Sequence, residues 1–317
     1  MRILTFDELP TSMDSDRAAL QLAAFGAVSF RRDADIWRQR SRMSDYAAVF
    51  AVERGRVLGQ VWVLRLPYDF PDGPGRISGI ASVTTRPDRA RSGIARALLE
   101  DVHRREREAG LRYVSLWTNP SWGAHRLYEK LGYRDLYSPP WAASVAARRT
   151  RCPAHVRPGR RSDLDTLDRL HDRHGTGRLG FARRAPGFLR ALSETHRVVP
   201  ESNLLVADDG RETVGYAHFD RQPNRVICGE LVATDTPTAR ALVRAVEWVA
   251  QGTPFAFQHS TVTDAPALFP PSRFATLPRS WWVWMGAELG PSGSRRAIGR
   301  PFASEDPRFL CFSGDRF

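Results

Sequence analysis

Lysine is all but missing from this chain: Lys130 stands alone among 47 basic residues, and all the others are arginine. A GC-rich genome imposes such a bias on any protein, so the formal net charge of +12 does not by itself point to nucleic acid. The arginines are spread along the chain instead of forming a basic cluster interleaved with aromatics, which sets nucleic acid aside as a partner. Cysteine is scarce too. Cys152, Cys228 and Cys311 are far apart and lack metal-ligand spacing, so neither a disulfide framework nor a metal is expected. His171 and His174 sit one helical turn apart without a third ligand and read as solvated helix residues. No apolar run approaches the roughly 18 residues of a membrane span, so no membrane partner is expected. The opening "MRILTFDELP" lacks the apolar core and small-residue cleavage site of a secretion signal, which predicts a cytoplasmic protein.

What is present is the composition of a globular protein, 42% hydrophobic and 26% charged, and 317 residues suit two domains. "MRILTF" reads as a strand, and the acidic residues Asp14 and Asp16 open a helix that ends at Gly26, with a second short helix around Ile36–Arg42. "YAAVFAVERGRVLGQVWVLRLPY" alternates apolar and polar residues and breaks at Glu53–Gly55, the pattern of a hairpin. "PDGPGR" reads as a loop and "ISGIASVTT" as a further strand. Ile94, Ala97, Leu98 and Val102 recur at helical spacing up to the stop at Gly110. A strand "LRYVSLW", a helix "SWGAHRLYEKLG" with Ser121 as N-cap, and a strand "YRDLYS" follow. The same order then restarts, with a hairpin broken at Asp209–Gly210 and a helix "TARALVRAVEWVA". This predicts an α/β chain with mixed sheets, divided near Thr150 into domains 1–150 and 151–317.

The turn "RSGIAR" has the chemistry of an anion site. A helix N-terminus presents unpaired N–H groups and partial positive charge, and the small residues Gly93 and Ala95 let a phosphate approach them. Arg91 and Arg96 add charge. The alternative is that Gly93 only packs a helix against a sheet.

The succession of the strand "SVTT", this turn, a long helix, and then Ala124, Leu127, Tyr128, Gly132 and Tyr133 resembles the GNAT superfamily of acyl-CoA-dependent N-acyltransferases. The resemblance covers roughly Met1 to Ala147. It implies that Val83, Thr84 and Thr85 bond the pantetheine arm through their backbones and that Arg91, Ser92, Gly93, Ile94, Ala95 and Arg96 wrap the diphosphate of acetyl-CoA or another short acyl-CoA. It implies Tyr128 as the general acid that protonates the leaving thiolate. Ser121 stands where the family commonly has an Asn on the pantetheine, with Asn119 two residues away. No carboxylate stands where many members hold a general base, so deprotonation of the amine would come through water, from solution, or from Asp69, Asp72, Glu53 or the C-terminal carboxylate of Phe317. The resemblance also places the acceptor pocket at Phe25, Phe30, Trp37, Tyr68, Asp69 and Asp72.

In the second half, "VATDTPTARALV" brings Thr236, Pro237 and Thr238 to the place of the phosphate turn, without a glycine. Residues 151–317 therefore read as a degenerate GNAT-like domain, in a tandem similar to that of mycothiol synthase and the enhanced-intracellular-survival acetyltransferases. Trp281, Trp282 and Trp284 read as core and interface residues. The expected reaction is transfer of an acetyl or short acyl group to a primary amine of a small molecule such as a specialised metabolite. A protein N-terminal or side-chain acetyltransferase and a non-catalytic acyl-CoA-binding module are the alternatives. The oligomeric state is left open, a homodimer being one arrangement.

Overall fold

In the computed structural model, all residues are described except 27–31, 34, 37–47, 146–149, 181–182, 185, 259–264, 291–301 and 303–317. The first half carries strands β1 (Arg2–Thr5), β2 (Ala48–Glu53), β3 (Arg56–Phe70), β4 (Gly73–Thr85), β5 (Tyr113–Thr118), β6 (Arg134–Tyr137) and β7 (Trp141–Ser144). Its helices are α1 (Asp14–Phe25), α2 (Ile94–Glu108) and α3 (Gly123–Lys130). The second half carries β8 (Val156–Pro158), β9 (Leu204–Asp208), β10 (Thr213–Gln222), β11 (Arg225–Ala233), β12 (Phe255–Gln258), β13 (Ala275–Leu277) and β14 (Val283–Glu288). Its longer helices are α4 (Leu164–Gly175), α5 (Phe188–Glu194) and α6 (Thr236–Ala250).

These elements build two mixed seven-stranded sheets, ordered β1-β2-β3-β4-β5-β14-β6 and, from the corresponding edge, β8-β9-β10-β11-β12-β7-β13. The sixth place in each sheet is taken by a strand from the other half of the sequence. β14 lies antiparallel between β5 and β6, and β7 lies antiparallel between β12 and β13. Among the described residues the two compact units are accordingly Met1–Tyr137 together with β14, and Ser138–Trp282, instead of two contiguous pieces divided near Thr150. The cause lies in the short links. Pro139 and Pro140 cannot continue a ladder after β6, and the chain resumes as β7 in the other sheet.

The long apolar run of β3 is buried on both faces because helices cover each. On one face, α2 seals a core of Val61, Val63, Ile80, Leu98, Val102 and Val114; on the other, α1 covers Phe6, Leu20, Phe50 and Trp62. The stretch expected to be the loop "PDGPGR" is paired instead: β3 and β4 run together from Gly59↔Thr85 to Phe70↔Gly73, leaving only Pro71 and Asp72 at the tip. Cross-strand pairing on a covered sheet overrides the turn propensity of its prolines and glycines. The helix expected near Ile36–Arg42 falls mostly outside the described residues. No helix among the described residues is long and apolar enough to cross a membrane.

A buried ion pair fixes α2 to its sheet. Arg65 on β3 donates to both carboxylate oxygens of Glu106, each at 3.0 Å, and Ser78 on β4 donates a third bond to the same group.

Candidate functional site

Parallel pairing of β4 with β5 spans only Ile77↔Tyr113 to Ile80↔Leu116. Beyond it β4 continues to Thr85 and β5 to Thr118, so the two strands part and the β4 edge loses its ladder on that side. Ser82, at a left-handed φ of 49°, lies beside the register shift between β3 and β4 and re-aims the backbone there. Left-handed non-glycine residues are uncommon and cluster at functional sites.

The turn into α2 has two more such positions, Arg91 at φ 62° and Gly93 at φ 84°. Gly93 is the N-cap: its carbonyl accepts the first helical bond from Ala97 at 2.9 Å, and no side chain caps the helix. The amides of Ile94, Ala95 and Arg96 therefore face out of the helix end with its positive pole behind them. A β-carbon at Gly93 would meet nothing within 4 Å, so this glycine serves the backbone angle and the open space, and close packing falls to Gly59. A β-carbon at Gly59 would lie 2.7 Å from the Thr84 carbonyl oxygen and 2.9 Å from Ile94 Cγ2. Ser92 donates to the Arg89 carbonyl at 2.5 Å, and Arg89 in turn pairs with Glu53 at 2.6 Å. Glu53, a candidate base on sequence grounds, is thus committed to bracing the turn, and that guanidinium holds its carboxyl below the usual range.

A groove of about 720 Å³ joins these features. Val83, Thr84 and Thr85 line one wall, Arg91 and Gly93 to Arg96 the turn, and Gly123, Ala124, Arg126, Leu127, Tyr128 and Lys130 of α3 the other wall. Arg91, Arg96, Arg126 and Lys130 have no carboxylate partner among the described residues, whereas Arg86 and Arg89 just outside the groove are paired. A groove lined by four uncompensated cations and an uncapped helix end suits a ligand with several phosphate charges.

Tyr128 is 6% exposed and packs its ring 5.8 Å from that of Tyr133, whose hydroxyl is bonded to His103 Nε2 at 2.8 Å. Burial pushes the Tyr128 phenol up to about 12 and, together with Arg107, the His103 imidazole down to about 4, so both are neutral near pH 7.

Thus Val83, Thr84, Thr85, Arg91, Gly93, Ile94, Ala95, Arg96 and Tyr128 are brought together at one groove. Asn119 and Ser121 lie outside its lining and bond each other, Asn119 Oδ1 accepting from the Ser121 amide at 2.9 Å and hydroxyl at 2.7 Å; Trp122, not Ser121, is the N-cap of α3. The expected acceptor residues are scattered. Tyr68 pairs with Gly75, about 20 Å along β4 from the parting at the 3.3 Å rise of a strand. It is 2% exposed in an aromatic cluster with Phe70, Trp284 and Phe302. Asp72 is at the hairpin tip beside Arg112 at 3.7 Å, and Asp69 is close to it in the chain. Phe25 ends α1 and is 48% exposed; Phe30, Trp37 and Phe317 lie outside the described residues. Arg126, Lys130 and Gly59 were not singled out from the sequence. The spacing of Arg126 and Lys130, one turn apart about Tyr128, was the available signal for the first two.

The second unit differs at the matching helix. Asp235 is the N-cap of α6 and its Oδ1 accepts from the Thr238 amide at 2.7 Å, so the protein's own carboxylate occupies that helix end. His171 is fully buried there, with its imidazole pushed well below the ordinary value, and His174 is pushed down to about 4; neither is a solvated helix residue. Of the three tryptophans, Trp284 is buried in the first sheet and Trp281 is 79% exposed.

Residues 10–135 match the family described as Acetyltransferase (GNAT) domain. This part of the chain is a GNAT acetyltransferase domain. Among solved structures, the chain is similar to a GCN5-related N-acetyltransferase from Anabaena variabilis, with 17% identity, a TM-score of 0.65, and coverage of 91% of this chain and 73% of that one. A GCN5-related N-acetyltransferase from Kribbella flavida shows 19% identity and a TM-score of 0.62 over 90% of this chain and 70% of its own. Eis1 from Mycobacterium abscessus shows 16% identity and a TM-score of 0.58 over 89% and 72%. At these identities the likeness is one of fold, and its span over nine-tenths of the chain agrees with two GNAT-like units in tandem. No curated protein matches the chain.

Proposed function

We propose that the first unit transfers an acetyl or other short acyl group from acyl-CoA to a primary amine of a small molecule. The observation that carries this reading is the groove in which an uncapped helix turn, four cations without a carboxylate partner among the described residues, and the Tyr128 phenol meet. The amides of Ile94 to Arg96, with Arg91, would hold the diphosphate, while the unladdered edge at Val83 to Thr85 offers backbone groups to the amides of the pantetheine arm. The second unit, its helix end filled by Asp235, would bind no coenzyme.

In the reaction the amine lone pair forms the new N–C bond, the C–S bond breaks with its electrons on sulfur, and the proton released by the ammonium completes the thiol. Holding amine and thioester together supplies much of the rate. The raised pKa refines the role of Tyr128. An acid of about 12 does not surrender its proton to a thiolate whose conjugate acid lies near about 8.5, so the hydroxyl stabilises developing negative charge on sulfur as a hydrogen-bond donor. Calorimetric titration with coenzyme A and measurement of thiol release with a panel of amines test the proposal. Failure to bind coenzyme A removes it, and binding without turnover leaves a binding module.

A further inference from the structure

The face of the first sheet turned away from α2 buries polar atoms that no described residue satisfies. Gln60 is 0% exposed and lacks a partner at both carboxamide atoms; Trp62 Nε1 (residue 4% exposed) and Ser115 Oγ (1%) likewise lack one. Their common direction follows from strand alternation. Gly59 and Val61 face α2, so Gln60 points the other way, toward the side where Trp62 packs with Phe6 and Phe50. Val114 and Leu116 face the α2 side, so Ser115 also points away, flanked across the sheet by Gly79 and Gly286. Folded interiors seldom leave such groups unpaired, and three on one face call for a missing partner.

The second unit provides an internal comparison. A β-carbon at Gly215 would meet Thr238 Cγ2 at 2.8 Å and Leu242 Cδ1 at 3.0 Å, as one at Gly59 would meet Ile94 Cγ2 at 2.9 Å and Leu98 Cδ1 at 3.3 Å. Counting from these two glycines, Tyr216 stands in the place of Gln60 and His218 in that of Trp62; the partners of His218 and Trp62 are Glu230 and Ala81, the latter displaced by one residue through the register shift beside Ser82. In the second unit this position is closed from within. Tyr216 donates to Glu230, and Arg184 donates to Glu230 at 2.5 Å and to the Tyr216 hydroxyl at 3.2 Å. Asp235 closes the helix end of that unit in the same manner. In the first unit no described residue satisfies Gln60 or Trp62 in this way, and no side chain caps α2.

We infer that Gln60, Trp62 and Ser115 form the acceptor side of the site and that the acceptor carries neutral hydroxyl or amide groups near its amine. This rests on the transferase reading above. The groove lies on the α2 and α3 side, and the ladder between β4 and β5 ends at Ile80 and Leu116, so the sheet is unpaired where the acceptor would meet the thioester. A carboxamide and a hydroxyl each donate and accept, an indole donates, and none of the three bears the charge that would select a second ammonium or a carboxylate.

The test uses three amines with acetyl-CoA on the full chain: glucosamine, glycinamide and butylamine. Glucosamine or glycinamide should exceed butylamine in kcat/KM by at least about tenfold, the worth of one well-placed hydrogen bond. Gln60→Leu should cut that ratio by about tenfold, and the unfolding midpoint without amine should hold or rise, since an unsatisfied amide gives way to an apolar group. Absence of any preference over butylamine, including absence of turnover, overturns the inference, as does an unchanged ratio in Gln60→Leu or a lowered midpoint. A coenzyme A titration of the unsubstituted protein runs alongside. Its failure would remove the transferase reading, while the midpoint still reports on whether the Gln60 amide lacks a partner.

Discussion

Gly59 on β3 lies directly beneath Ile94, the first residue of α2, so close that an added β-carbon would stand 2.9 Å from Ile94 Cγ2 and 2.7 Å from the Thr84 carbonyl. Gly59→Ala should push the start of α2 outward. The expected cost is about 1–3 kcal/mol of stability, with coenzyme A affinity falling at least about tenfold because the N–H groups of the turn shift. Thermal unfolding and calorimetry measure the two effects, and an unchanged affinity would disprove the link between packing and turn.

Gly93 owes its identity to its left-handed angle, not to crowding. Gly93→Ala should cost about 1–2 kcal/mol and weaken coenzyme A, while Gly93→Asn, which tolerates that angle better, should be milder in stability. Equal melting temperatures for Ala and Asn would contradict this.

Tyr128→Phe should lower kcat by about a hundredfold while leaving the KM for acetyl-CoA within about threefold. With the phenol pushed up to about 12, its neutral form persists far above neutrality. A pH-rate profile should therefore show no fall between pH 8 and about 10 traceable to this group; a fall in that range that disappears in Tyr128→Phe would refute the assignment.

Breaking the Arg65–Glu106 pair by Glu106→Leu removes the buried carboxylate that accepts two Arg65 bonds and one from Ser78, at an expected loss of about 3–5 kcal/mol. Replacing both residues, as Arg65→Met with Glu106→Leu, should restore much of it. Denaturant melts of the single and double variants decide the matter.

Asp168 caps α5 by accepting from the Leu189 amide, yet burial outweighs Arg184 and that bond and pushes its carboxyl up to about 7. In the unfolded chain it titrates near 3.8. The native state therefore holds a proton that the unfolded state has released, and this contribution, full below the unfolded value, is lost as pH rises through about 7. The stability of the protein relative to Asp168→Asn should fall between pH 5 and pH 8. A difference that stays flat over that range would count against the buried, protonated state.

The long periodic elements were readable from the sequence: α2, the β2–β3 hairpin and the Tyr128 helix lie where their spacing placed them. Local chemistry also marked the turn at Gly93. Illegible were the features set by partners distant in sequence. "WAAS" lacks the β-branched residues of a strand, yet Trp141–Ser144 is a central one because β12 and β13 flank it. Tyr68, Asp69 and Asp72 belong to a hairpin whose length shows only in its pairing register, and that length carries them away from the groove. Gly59 reads as an ordinary strand glycine until α2 is laid upon it.

The reciprocal loan of β7 and β14 bears on how such a chain can be divided. A gene cut near codon 150 would yield one fragment missing the strand beside β5 and another carrying it as a surplus tail. Each alone would present an open edge prone to aggregation, and co-expressed they should find each other by mutual complementation.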